Sequence, residues 1–195
     1  MCGGSGAGGG SGGGESLAYD IETVALTSAQ KNAMEYYSQE GYGPINELLA
    51  TGKIAPDEIS GISTTQANKY IKTMDSAFSK ASTKEDAIVH RGISKRVADS
   101  LLHEGMAAKG TVMTSKTYMS TSTSRAVADK FTKEFGGMRY QMEVRLPRGT
   151  KAMSAKTFTN VHNEKEILVA RNTKMKSLGV KTHGKTVTFV MEAIP

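Results

Sequence analysis

Apolar side chains recur at helical spacing in the first half of the chain. In the segment TTQANKYIKTMDSAFSKA, the residues Ala67, Tyr70, Ile71, Met74 and Phe78 lie three or four positions apart. This spacing places them on one face of a helix. Such a stripe is typical of a helix that packs on a protein core, although an aromatic residue within it would also suit the floor of a pocket.

Two shorter helices are predicted upstream of this one. Thr27 or Ser28 can cap a helix that ends at Gly41, because a side-chain oxygen accepts a backbone N–H of the first turn and glycine readily leaves the helical conformation. Pro44 suits the first turn of the next helix, and Gly52 suits its end. The first half of the chain is therefore predicted to be helical.

The apolar period changes beyond residue 86. Met138, Tyr140, Met142, Val144 and Leu146 alternate with other residues, which is typical of a half-buried strand. The other predicted elements are strands at residues 87–93, 118–124, 166–170, 173–180 and 186–194 and helices at residues 94–106 and 125–137. The order has too few strand–helix–strand repeats for a doubly wound sheet. The predicted fold class is therefore α+β, a mixed and mainly antiparallel sandwich-like core behind a helical lobe.

Glycine marks the beginning of the chain. Residues 1–14 hold nine of the 21 glycines, together with serine, which predicts a flexible linker. The segment matches the dinucleotide pattern G-x-G-x-x-G, but no predicted strand precedes it and no helix follows, so we reject that interpretation. We expect a linker at residues 1–14, a helical lobe at 15–85 and a catalytic core at 86–195.

Composition narrows the class of protein without fixing its function. The chain has 195 residues and a formal net charge of +6, and its basic residues are scattered instead of forming a run. Such a surface suits solubility about as well as nucleic-acid binding. No apolar run approaches the length of a membrane helix, and no secretory signal is visible. The single cysteine excludes an internal disulfide and fits a protein that works in reducing cytosol.

Two further patterns resemble sites but lack the required context. The segment GVKTHGKT matches the phosphate-binding loop pattern, yet an alternating apolar run follows it where a helix must begin. We interpret His183 and Gly184 as a hairpin turn. The histidines show no ligand spacing, so no metal site is predicted. His90 lies in an apolar strand and is more typical of a core group than of a catalytic base, whereas His162 lies near two glutamates.

Three short polar stretches carry the candidate chemistry. Arg91 ends an apolar strand, Ser120 and Ser122 lie on one face of another strand, and Glu164 and Glu166 precede an apolar run. Each stretch alone suits an exposed strand end. In a strand, however, the two glutamates would point the same way and repel each other, a cost that a site could use.

The order of these stretches resembles a known family. An arginine, then S-T-S, then E-x-E, together with STSTSRAVADKF, YQMEVRLPRGTKAM and HNEKEILVARNTKMK, resembles the arginine-directed mono-ADP-ribosyltransferases. This family includes actin-modifying binary toxins, type III effectors and phage-injected transferases. The likeness covers residues 86–195, and no motif in the upstream helices adds to it. It implies an enzyme that uses NAD as a substrate and needs no metal.

The resemblance also implies a role for each motif residue. Glu166 would be catalytic and would bind a hydroxyl of the nicotinamide ribose, and Ser120 would orient it. Arg91, followed by Gly92, would hold the NAD phosphates, because a permanently charged fork suits a diphosphate. The residues expected to complete the NAD site are Thr121, Ser122 and an aromatic residue near nicotinamide, either Phe131 or Phe135.

Acceptor choice is implied by the first glutamate of the pair. In the family a glutamate at this position accompanies arginine acceptors, so Glu164 would orient the acceptor guanidinium and help remove its proton as attack proceeds. The loop before it, including Phe158, would contact the target protein. Glu164 and Phe158 are therefore the expected substrate-binding residues.

Two alternatives stay open at this stage. The protein could mainly hydrolyse NAD with water as the acceptor, or it could be a basic nucleic-acid-binding module without catalysis. The family resemblance favours a toxin or effector that acts in host cytoplasm after secretion or injection, with no membrane partner. The glycine-rich N-terminus would suit a tether to a delivery domain or partner.

Overall fold

The fold is known from a computed structural model that describes residues 24–56, 59, 61–132, 137–158 and 165–195. The described helices are α1 (Ser28–Tyr36), α2 (Tyr42–Thr51), α3 (Thr64–Phe78), α4 (Lys95–His103) and α5 (Arg125–Lys130), with a π-helical turn at Tyr37–Gly41 and a 3₁₀ turn at Ala155–Thr157. The described strands are β1 (Ala87–Ile93), β2 (Val112–Ser115), β3 (Met119–Ser122), β4 (Arg139–Leu146), β5 (Ala152–Ser154), β6 (Glu166–Val169), β7 (Thr173–His183) and β8 (Thr186–Ile194).

The strands form one sheet in the order β2-β7-β8-β4-β1-β3-β6-β5. All neighbouring pairs are antiparallel except β4 and β8, which run parallel. The predicted α+β class with mainly antiparallel strands is confirmed. The sequence did not predict the two edge strands, β2 and β5, because strands of four and three residues carry too little alternation to be recognised.

The pairing between β1 and β3 is the weakest in the sheet, and we call this boundary the joint. Strands β1 and β4 pair over seven positions, from Ala87↔Leu146 to Ile93↔Tyr140. Strands β1 and β3, in contrast, pair at the single position His90↔Ser122. The sheet therefore consists of a β2-β7-β8-β4-β1 half and a β3-β6-β5 half, which separate on either side of this pair.

The β3-β6-β5 half is buried on both faces. Along β6, Ile167 and Val169 pack into the core cluster that contains β1, β4 and α4. Leu168, between them, packs into a second cluster with the N-terminal helices. A strand covered on both faces has no solvent side, which explains why residues 167–170 form an unbroken apolar run.

The N-terminal helices are more continuous than the sequence predicts. Thr27 caps α1 with a capping box to Gln30, as expected. Gly41 does not end the helix, because the chain passes through the π-helical turn directly into α2. Helix α2 ends at Gly52, which has a φ of 77° and caps it in the left-handed conformation, as predicted. The stripe on α3 is confirmed as a core face, with Tyr70 only partly buried.

The segment that matches the phosphate-binding loop pattern lies in the C-terminal hairpin. Strand β7 ends at His183, strand β8 begins at Thr186, and Gly184 turns the chain with a φ of 54°. Because a strand and not a helix follows GVKTHGKT, this segment has no helix N-terminus to face a phosphate. The predicted hairpin is confirmed.

Candidate active site

A cavity of about 290 Å³ opens at the joint between the two halves of the sheet. Of the residues predicted for the site, those that line this cavity are Arg91, Gly92, Ser120, Thr121, Ser122, Phe131 and Glu166. They come from β1, β3, β6 and the end of α5, which are far apart in sequence. The three motif stretches therefore share one cleft.

Arg91 lies in the cavity wall, one residue beyond the single pair between β1 and β3 at His90↔Ser122. Its Nη1 donates to the backbone oxygen of Ser120 at 3.4 Å, which connects the two halves of the sheet across the joint. Burial lowers the pKa of the Arg91 guanidinium, and the nearby Tyr37 and Glu166 act in the opposite direction. A partly buried cation that faces an open cavity is suited to binding an anion there.

The pairing of β3 with β6 places Ser120, Thr121 and Ser122 beside Glu166. Ser122 pairs in register with Glu166, and the hydroxyl of the buried Thr121 donates to the backbone oxygen of Ile167 at 2.7 Å. The Ser122 Oγ accepts the backbone N–H of Ser124 at 3.0 Å, at the start of α5. The Thr121 hydroxyl thus joins β3 to β6, and the Ser122 hydroxyl stabilises the turn into α5. The half-buried Ser120 faces the cavity more openly.

Glu166 is the first residue of β6 and is half-buried at the cavity wall. Its Oε2 lies 3.5 Å from the hydroxyl of Ser38, which comes from the π-helical turn. Lys165, immediately before it, has a φ of 47° and is not extended. Glu164 lies outside the described residues. Because β6 begins only at Glu166, the expectation that one regular strand aligns both glutamates is not supported by the described backbone.

The N-terminal helices form a third wall of the cavity. The hydroxyl of the buried Tyr37 donates to the backbone oxygen of Tyr118 at 3.3 Å, and the Asn46 amide donates to the Tyr37 hydroxyl at 2.9 Å. Burial raises the pKa of Tyr37 to about 12, although Arg91 opposes the shift. Tyr37 therefore remains a protonated donor at neutral pH. The Oδ1 of Asn46 is buried and has no hydrogen-bond partner among the residues that the structure describes.

A cluster of polar side chains, which we call the polar latch, holds this wall against β3 and β6. Its members are Asp75, Arg171 and Tyr118. The Arg171 guanidinium binds both oxygens of Asp75, with Nε–Oδ1 at 2.9 Å and Nη2–Oδ2 at 2.5 Å. The Tyr118 hydroxyl donates to Asp75 Oδ1 at 2.7 Å. Since Tyr118 precedes β3 and Arg171 follows β6, the latch joins α3 to the two strands that carry Ser120 and Glu166.

Helix α5 closes the opposite side and explains the glycine after Arg91. A Cβ at Gly92 would lie 2.6 Å from the backbone oxygen of Ala128 and 2.7 Å from the backbone nitrogen of Thr132. Only glycine lets the helix approach β1 this closely. Phe131, at the end of α5, lines the cavity and is 58% exposed. An aromatic face at the rim is thereby available to a planar ligand.

The family model of the ADP-ribosyltransferase exoenzymes matches residues 15–192. The chain belongs to this family. The exoenzyme match extends over the N-terminal helices, where the sequence alone offered no motif, and over both halves of the sheet. The resemblance inferred from the three motifs is confirmed.

One relative with an assigned activity is much longer than this chain. The NAD(+)--arginine ADP-ribosyltransferase EFV of Enterococcus faecalis (strain ATCC 700802 / V583) is 29% identical over 157 residues, which is 80% of this chain and 30% of that protein. The exoenzyme chain thus spans less than a third of the length of this curated relative.

Solved structures show the same fold. ADP-ribosyltransferase Vis, a toxin from Vibrio splendidus, in complex with agmatine is 22% identical with a TM-score of 0.66, over 92% of this chain and 80% of that one. C3stau2 from S. aureus, solved with NAD, is 20% identical with a TM-score of 0.66, over 93% and 92%. At these identities the likeness shows the fold and no more.

Phe158 is not placed as predicted. The sequence suggested that it contacts the target protein, but its side chain is 6% exposed and belongs to the core cluster of the N-terminal helices. Burying a phenylalanine there removes apolar surface from water, and this burial argues against a contact with a docked protein. Phe135 and His162 lie outside the described residues.

His90 lies at the cavity, whereas the sequence indicated a core position. It is half-buried and lines the cavity beside Arg91, instead of lying in the core. Burial lowers its pKa, with Glu143 opposing the shift and Arg125 adding to it. A neutral imidazole in the wall of the cleft avoids placing a second cation beside Arg91.

Sequence reasoning missed the cavity residues of the N-terminal helices. These are Tyr37, Ser38, Tyr42 and Asn46. The sequence suggested an aromatic pocket floor on the α3 stripe, whereas the aromatic residues that these helices supply to the cavity, Tyr37 and Tyr42, come from the π-helical turn and the start of α2. Among the described residues there is neither a cluster of three or more His, Cys, Asp or Glu side chains placed to bind a metal nor a helix long and apolar enough to cross a membrane.

Proposed function

We propose that this protein transfers ADP-ribose from NAD to an arginine side chain of a host protein and releases nicotinamide. The observation that carries the proposal is that Arg91, the serines of β3 and Glu166 line the same cavity. Membership of the ADP-ribosyltransferase exoenzyme family and the arginine-specific name of the Enterococcus relative support the same reaction.

The reaction breaks the glycosidic bond between nicotinamide and its ribose. Nicotinamide leaves with the bonding electrons and becomes neutral, so positive charge develops on the ribose as an oxocarbenium-like centre. The acceptor nitrogen then bonds to this carbon and loses a proton. A carboxylate near the ribose stabilises the developing charge, and Glu166 at the cavity wall is the residue suited to this role.

The remaining cavity residues would bind and orient NAD. Arg91 would bind the diphosphate, because its guanidinium forms paired hydrogen bonds with phosphate oxygens. Ser120 would orient Glu166 and approach the nicotinamide end. Thr121 and Ser122 would contribute by fastening β3 to β6 and α5, and Phe131 offers its ring to nicotinamide.

Glu164 would select the acceptor. An arginine is protonated at neutral pH and is a poor nucleophile, so a second carboxylate is needed to orient it and to accept a proton as the bond forms. Glu164 lies outside the described residues, and its role rests on the E-x-E pattern. Vis was solved with agmatine, a guanidinium compound, and this makes agmatine a suitable small acceptor for assays.

The test is incubation of the protein with labelled NAD and either host lysate or agmatine. Wild type should label an arginine, identified by mass spectrometry, and Glu166→Gln should lower transfer by about 100-fold or more. Wild type that labels neither acceptor nor releases nicotinamide would refute the proposal. Glu164→Gln should lose arginine transfer and keep NAD hydrolysis, which free ADP-ribose measures.

Measuring free ADP-ribose with and without agmatine also distinguishes arginine transfer from the alternative of NAD hydrolysis. If water is the main acceptor, agmatine will not divert the product. A nucleic-acid-binding module would instead show affinity that falls steeply with salt and no NAD turnover. We propose that the reaction takes place in host cytoplasm after secretion or injection, with further domains supplying delivery, since the chain matches only 30% of its curated relative.

A further inference from the structure

The π-helical turn decides which side chains of the N-terminal helices face the cavity. Tyr37 and Asn46 are nine positions apart and yet joined by a hydrogen bond of 2.9 Å. An α-helix turns by about 100° per residue, so this separation would place them on opposite faces. The wider turn at Tyr37–Gly41 interrupts the α-helical register between them, and Tyr37, Ser38 and Asn46 all line the cavity.

The packing around the π-helical turn requires a glycine at position 41. A Cβ at Gly41 would lie 2.4 Å from the ring of Tyr36, and that ring cannot move freely because it stacks on Tyr70 with centroids 4.6 Å apart. Gly41 therefore leaves room for a ring that α3 holds in place. Single π turns inside α-helices occur frequently at functional sites, and this one delivers a hydroxyl to Glu166.

We propose that Ser38 is a positioning residue for Glu166, holding one carboxylate oxygen so that the other faces the ribose of NAD. Its Oγ lies 3.5 Å from Glu166 Oε2, and both residues line the cavity. Catalytic hydrogen bonds are often long in the absence of substrate and shorten when it binds. The inference rests on the proposed function, since it assigns Ser38 a role only if Glu166 is catalytic.

The geometry distinguishes this contact from those of the neighbouring side chains. Tyr37 is held by the Tyr118 carbonyl and by Asn46, and Gln39 faces solvent and donates to Glu35. Ser38, in contrast, reaches β6 through its contact with Glu166. Because α3 and the latch hold the helices on the sheet, a shift of this turn would move the hydroxyl away from Glu166.

The test compares Ser38→Ala and Ser38→Thr by nicotinamide release from NAD, with water and with agmatine as acceptors. For Ser38→Ala we expect kcat to fall about tenfold while the KM for NAD stays within about twofold, because a charge-assisted hydrogen bond is lost without a substrate contact. Ser38→Thr keeps the hydroxyl and should recover activity to within about threefold of wild type.

Ser100→Ala is the matched control, since Ser100 is an exposed serine inside α4; its rate and melting temperature should equal those of wild type. The inference fails if folded Ser38→Ala keeps wild-type kcat, if only KM changes, or if Ser38→Thr is as impaired as Ser38→Ala. The proposed function fails separately, if wild type releases no nicotinamide or Glu166→Gln releases as much as wild type.

Discussion

The two halves of the sheet carry the same kind of hydrogen bonds but are covered differently. In the β3-β6-β5 half, Leu168 is fully buried and its neighbours on the strand are buried in the opposite core. In the larger half, one face is buried and the other carries exposed residues such as Ile88, Lys174 and Lys176. Burial on both faces makes the smaller half a rigid support for Glu166 and Ser120.

The candidate active site lies where the two halves of the sheet meet. Where a fully covered half meets a half with one solvent face, the pairing falls to the single position His90↔Ser122, and the cavity opens there. Side chains from both halves, and from the helices that cover one of them, can then converge without belonging to one element. Substitutions on the two sides of the joint should therefore differ strongly in their effects.

The largest expected effect is that of Leu168→Ala, on the strand buried on both faces. Removing a fully buried leucine leaves a cavity between the sheet and the N-terminal helices, and we expect the free energy of unfolding to fall by about 2–5 kcal/mol. Urea denaturation followed by circular dichroism measures this. A loss below about 1 kcal/mol would contradict the rigid, two-sided packing of this half.

Gly92→Ala tests the joint itself. The added Cβ meets backbone atoms of α5 and of the two residues after it at 2.6–2.8 Å, so this segment must move. We expect a loss of about 1–3 kcal/mol in stability together with weaker NAD binding, because Phe131 moves with the helix. Gly43→Ala is the control, since a Cβ there meets nothing within 4 Å. Equal behaviour of the two variants would argue against a close approach at Gly92.

Asp75→Asn tests the latch between the helices and the smaller half. It removes the charge that binds Arg171 and the Tyr118 hydroxyl, and we expect a loss of about 1–2 kcal/mol, since the pair is partly exposed. Asp99→Asn breaks the exposed pair with Lys95 and should change stability by less than about 0.5 kcal/mol. Thermal unfolding of both variants at low and high salt measures the difference.

The smallest effect is expected for Ile88→Thr, on the open face of the larger half. Ile88 is 47% exposed, and threonine keeps the β-branched shape that suits a strand. Stability should change by no more than about 0.5 kcal/mol, as is usual for surface positions. A large loss in urea denaturation would mean that this face is covered, and the contrast between the two halves would no longer hold.

Most elements of the fold could be predicted because their signals are local. The cap at Thr27, the stripe on α3 and the alternation along β4 depend on neighbours in sequence. The short edge strands and the continuation of the helix through Gly41 could not be predicted, because they depend on partners elsewhere in the chain. Phe158 was misplaced for the same reason, since its burial depends on helices that precede it by about a hundred residues.

The sequence by itself determined the family, the motif residues Arg91, Ser120 and Glu166, and the α+β class, because residue type, order and period are properties of the chain alone. The tertiary structure decided that these residues share a cavity and that the N-terminal helices complete it with Tyr37, Ser38 and Asn46. The physical reason is that convergence depends on how elements pack. One weak strand pair, one π turn and one glycine that lets a helix approach closely set the distances between side chains, and no local pattern records those distances.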